Sequence, residues 1–110
     1  MSADAVLLHI TTANREEAIT ISRELLSERL IACANILEHV TSLYWWQGQI
    51  EHTPEVVIIA KTTANLVEAA TARIKSLHRY SCPCIVSMKI DGGNPDFLEW
   101  IERETRNKAS

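Results

Sequence analysis

The residues best able to do chemistry in this 110-residue chain are three soft-metal ligands, His78, Cys82 and Cys84, within seven consecutive positions. A neutral imidazole binds copper or zinc, and thiolates suit Cu(I). Cys82 and Cys84 are expected to alternate onto one strand face, so with His78 they would make a three-ligand soft site. A competing reading has His78 closing the C-terminus of its helix and hydrogen-bonding a carbonyl, the more usual task of a lone histidine there. Cys-x-Cys is also a weaker ligand pattern than paired C-x-x-C. A direct Cys82–Cys84 bridge would be strained, because residues two apart on a strand hold their Cα atoms near the upper limit for a disulfide.

Other candidates carry less. Cys33 lies among Ala32, Ala34 and Ile36 and reads as a buried apolar thiol. His9 and His39 fall on strands and His52 in a hairpin, with no shared ligand spacing. Lys61 ends an apolar run opened by Glu55; it suits an anion in a cleft or, more simply, a solvated strand end. Tyr44, Trp45 and Trp46 could stack a ligand, but Trp and Tyr are favoured in interface cores. No G-x-S-x-G, P-loop, dinucleotide-binding glycine fingerprint or H-E-x-x-H occurs, so no enzymatic activity is expected.

These residues must be positioned by a small domain. Residues 1–110 suffice for one core and not two. The formal net charge of -3, with no basic block, speaks against nucleic acid and anionic membranes as partners. No apolar run reaches the roughly 20 residues of a membrane helix. Met1–Asp4 is short and acidic, so no secretory leader is expected. An odd cysteine set without zinc-finger spacing fits a reducing, cytoplasmic location.

Strand patterning covers Ala5–Thr12, Cys33–Trp46, Gln49 to about Thr62, and about Cys84–Ile90. Helical periodicity runs from Asn14 to about Leu30 and from near Asn65 to Leu77. Asn14 followed by Glu17 has capping-box spacing, and Asn65 followed by Glu68 repeats it. Asn94 caps a short last helix with Pro95 at its first position. The order β-α-β-β-α-β plus a C-terminal helix, with right-handed crossovers, implies an α/β (α+β) ferredoxin-like antiparallel sheet with both main helices on one face.

The hairpin is too long for such a body. Two strands of a dozen residues or more span roughly 40 Å at ~3.3 Å per residue. The body's radius of gyration should be near ~13 Å. With Gln47-Gly48 at the tip, expected as a type I turn with Gly48 left-handed in a bulge, Thr41 falls opposite Pro54, where pairing should break or kink. The tip section, carrying Leu43, Tyr44, Trp45, Trp46 and Ile50, would then leave the parent sheet and need a partner, most simply other copies of the chain.

Leu30–Ile36, Thr41–Ile50 with its T-S-x-Y-x-W-x-G pattern, Glu55-Val56 through Lys61-Thr62, Leu77–Tyr80 with Pro83, and Phe97–Ile101 together resemble the CutA divalent-cation-tolerance family over nearly the whole chain. The resemblance implies a cytoplasmic ferredoxin-like homotrimer with intersubunit strand pairing. It also implies an association with copper or another divalent cation, not required for folding, and no enzymatic reaction. A trimer of this architecture is shared with PII-type regulators, which makes a small-molecule or signalling role, or a trimeric scaffold, the alternatives. The chain departs from the family pattern where His78-Arg79-Tyr80-Ser81 replaces H-P-Y-E and where Cys82 and Cys84 flank Pro83. Thr11 stands where some bacterial members have a cysteine linked to metal.

Overall fold

In the computed structural model, which describes residues 4–106, four strands and three helices follow in the order β1 (Ala5–Thr12), α1 (Arg15–Ser27), β2 (Cys33–Trp46), β3 (Gln49–Thr63), α2 (Val67–Leu77), β4 (Ile85–Lys89) and α3 (Pro95–Glu104). Most of the acidic opening stretch Met1–Asp4 lies outside the described residues. The strands form one sheet in the order β2-β3-β1-β4, each neighbouring pair antiparallel. This is the ferredoxin-like arrangement expected from the element order.

Side-chain alternation sets the layers. Val6, Leu8, Ile10 and Thr12 are buried, and their β3 partners Thr62, Ala60, Ile58 and Val56 share that face. Ala18, Ile21 and Leu25 of α1 and Ala70 and Ile74 of α2 complete the same cluster, so both helices cover one side of the sheet. Burying an aliphatic side chain of this size contributes roughly 1.5–3 kcal/mol. The opposite face carries His9 and Ile59 at its centre and the exposed Val86 and Met88 at the β4 edge.

Helix ends follow local chemistry. The Asn14 Oδ1 accepts the Glu17 N–H at 2.8 Å, and the Glu17 carboxylate accepts the Ala13 N–H at 2.9 Å, a reciprocal cap. Helix α1 stops three residues before Leu30 because Arg29 turns left-handed, with φ 59°. The Leu30 N–H bonds the Leu25 carbonyl and the Arg29 N–H that of Leu26, the pairing usually closed by glycine. The Arg29 guanidinium donates to the carbonyl and carboxylate of Glu104, tying α3 to this corner. Helix α2 does not begin at Asn65: a 3-10 turn at Ala64–Leu66 precedes it, and the Asn65 amide oxygen accepts from the Thr63 hydroxyl instead of capping. Asn94 does cap α3, accepting from the Asp96 N–H.

The hairpin leaves the body as expected, with two corrections. Val56–Thr63 of β3 pair with β1, whereas Gln49–Glu55 pair only with Val40–Trp46 of β2. The molecule is accordingly 47 Å long and 28 × 22 Å across, with a radius of gyration of 14.6 Å. The irregularity lies at Glu38-His39, where β2 carries one extra residue and His39 has φ 63°; Thr41 and Pro54 stay in register. Pro54 is tolerated because β3 has already lost its β1 neighbour, so a residue without an N–H donor faces an open side there. The tip is a two-residue turn with positive φ at both Gln47 (48°) and Gly48 (80°), the type I′ form, and not a type I turn with a bulge. The right-handed twist of the long arms selects it despite the poor fit of glutamine.

Candidate ligand cavity beside the aromatic hairpin

The three expected metal ligands are not brought together. Among the described residues no group of three or more His, Cys, Asp or Glu side chains is placed to hold an ion. His78 lies at the C-terminus of α2 with its side chain fully enclosed. Its Nε2 is 2.7 Å from the Thr11 carbonyl oxygen, which can only accept, so Nε2 carries the proton. Its Nδ1 accepts the Tyr80 N–H at 3.0 Å. Both nitrogens are committed, which removes His78 from the ligand set. The carbonyl it bonds belongs to β1 and not to its own helix, so the ring clamps the α2 end to the sheet. Glu17 closes the cluster: one carboxylate oxygen accepts the Arg79 N–H at 2.8 Å and lies 3.7 Å from Nδ1.

Cys82 and Cys84 do not share a strand face, because β4 begins only at Ile85; both are free and exposed and open onto a cavity of about 700 Å³. Thr41–Tyr44 and Trp46 of the hairpin form one wall; Thr11 and Tyr80–Cys82 with Cys84 form the other. The Thr11 N–H donates to the Cys84 carbonyl at 3.3 Å, so Cys84 sits beside Thr11 across the β1–β4 edge.

Glu55 supplies the cavity's charge. The residue is 6% exposed, and the Tyr80 hydroxyl donates to its carboxylate at 2.9 Å. Among the described residues no Lys, Arg or His is ion-paired with it. Burial, reinforced by the hydrogen bond to Glu55 and its charge, pushes the Tyr80 hydroxyl well above the usual phenol range. Sequence reasoning passed over Glu55 as a cavity group, although a carboxylate heading the apolar run Val56–Ala60 was a visible signal. Tyr80 stood out only through the family pattern.

The expected interface residues split into two sets. Trp45 lies opposite Ile50, and these two are 72% and 62% exposed. Tyr44 and Trp46, one residue away on either side, point to the other face and line the cavity. Cys33 is half-buried and paired with Lys61 on the face away from the helices, so it is not the enclosed apolar thiol its neighbours implied. Lys61 donates to the Asn35 side chain at 2.9 Å.

Fold and cavity together define a ferredoxin-like α/β domain with an arm and an acidic, thiol-bearing pocket at its root. Residues 6–104 match the model of the CutA1 divalent ion tolerance protein family, and the chain belongs to that family. It is 43% identical over 101 residues to the divalent-cation tolerance protein CutA of Pyrococcus horikoshii, covering 92% of this chain and 98% of that protein. It is 34% identical to the chloroplastic CutA 1 protein of rice, of whose length it spans 58%. The crystal structure of CutA1 from Oryza sativa superposes with a TM-score of 0.93 at 33% identity, covering 97% of this chain and 98% of that one.

Proposed function

We propose that the chain assembles into a homotrimer through its hairpin arm and serves metal-ion tolerance in the cytoplasm by binding divalent cations, copper among them, without catalysing a reaction. The observation that carries the assembly is the arm itself. Leu43, Trp45 and Ile50 are exposed on the arm, where Val40–Trp46 and Gln49–Glu55 have no strand neighbour beyond each other among the described residues, a combination soluble chains cover with a partner. The buried Glu55 carboxylate, facing the cavity without a cation partner among the described residues, supports cation binding. Three free thiols, two of them exposed, favour a reducing compartment.

Light scattering after size exclusion tests the assembly. A mass of three chains is expected for the wild type and a smaller species for Trp45→Glu; a wild-type monomer at micromolar concentration would sink the reading. Calorimetric titration with Cu(II) and Zn(II) tests the ion, with Glu55→Gln expected to weaken binding at least tenfold. The cavity's volume, within the range of small-molecule sites, favours one second reading, an organic ligand held against Tyr44 and Trp46. A metabolite panel that raises the melting temperature would support it over the ion.

A further inference from the structure

We propose that Cys82 and Cys84 by themselves form a two-thiolate site for a soft monovalent cation of the Cu(I)/Ag(I) class. The two sulfurs are free, exposed and open onto the same cavity. Pro83 between them disfavours helical backbone at Cys82, and the pair lies in the bend and coil just ahead of β4. The backbone bond from Thr11 to the Cys84 carbonyl anchors the far end of the pair to the sheet.

The spacing favours an ion between the sulfurs over a bond. Residues two apart have Cα atoms at most about 7 Å apart whatever the backbone conformation. A disulfide needs its sulfurs about 2 Å apart, which strains so short a loop. An ion with metal–sulfur bonds near the zinc–thiolate length of about 2.3 Å lets them stand about 4.6 Å apart in a linear arrangement. Tetrahedral Zn(II) would need two further ligands, and His78, the nearest histidine in sequence, has no free nitrogen. A soft two-coordinate ion needs none, and thiolates select it.

Binding breaks two S–H bonds, forms two S–metal bonds and releases two protons to solvent, with no electron transferred. Affinity therefore rises with pH. The product carries one negative charge, so the Glu55 carboxylate opposes it, whereas a divalent ion would be attracted. This site stands or falls independently of the divalent-cation reading.

The test is anaerobic competition for Cu(I) held by bathocuproine disulfonate, with native mass spectrometry for stoichiometry. The wild type is expected to take one Cu(I) per chain. Cys82→Ser and Cys84→Ser should each weaken binding at least 100-fold, and Cys33→Ser should leave it unchanged. Glu55→Gln should bind Cu(I) as well or more tightly while losing divalent ions, which separates failure of one reading from failure of the other. The proposal is overturned if the double Cys82→Ser/Cys84→Ser variant competes as well as wild type. It is equally overturned if only one of the two thiols matters, or if the ion bridges two chains at one per pair.

Discussion

The hydroxyl of Tyr80 donates to the carboxylate of Glu55 at 2.9 Å, joining the loop after α2 to the point where the hairpin arm leaves the sheet. This bond is the only described donor to a carboxylate that is nearly sealed from water, and the cavity's charge rests on it.

Tyr80→Phe keeps the ring and removes the donor. A buried carboxylate stripped of its hydrogen bond costs about 1–3 kcal/mol. Urea denaturation should show a loss in that range for Tyr80→Phe, and a smaller loss for Tyr80→Phe combined with Glu55→Gln. Equal losses in the two would mean that the bond does not matter to stability.

Tyr80 also predicts a response to alkali. Its folded pKa is raised above the unfolded value of about 10, so the two states bind this proton equally below pH ~10. Above that, the unfolded chain releases the proton first, and stability falls with rising pH. Denaturation series between pH 8 and 11 should show this decline in the wild type and a shallower one in Tyr80→Phe.

His78 should matter to folding and not to ion capture. His78→Ala leaves the Thr11 carbonyl and the Tyr80 N–H without their partner and empties an enclosed site, a cost of about 2–4 kcal/mol. Ion binding per folded chain, measured well below the melting temperature, should match wild type. A tenfold loss would return His78 to the ligand set.

The type I′ tip offers a gain. Gln47 holds φ 48°, a conformation asparagine tolerates far better. Gln47→Asn should raise stability by up to about 1 kcal/mol, read as a higher denaturation midpoint at unchanged slope. A decrease would show that the glutamine side chain contributes contacts at the tip.

Much of the frame was legible in the residue order because it depends on local rules. The limits of β1 and β2, the Asn14 and Asn94 caps and the Thr41–Pro54 register all follow from periodicities and spacings of a few residues. The overhang followed from strand length against body size. The exact place of the bulge and the hand of the tip turn did not, because sheet twist and the loss of the β1 neighbour decide them.

The site was legible only as an inventory. Residue types nominated His78, Cys82 and Cys84, but the strand face expected for the two cysteines is absent, since β4 begins at Ile85. Only the folded structure committed both His78 nitrogens, one of them to a carbonyl 67 positions away, and set Tyr80 against Glu55 across 25. Such pairings depend on which strands become neighbours, and no local pattern encodes them. The aromatic arm was written in the order of residues; what the cavity at its root can hold was decided by the folding of distant segments onto one another.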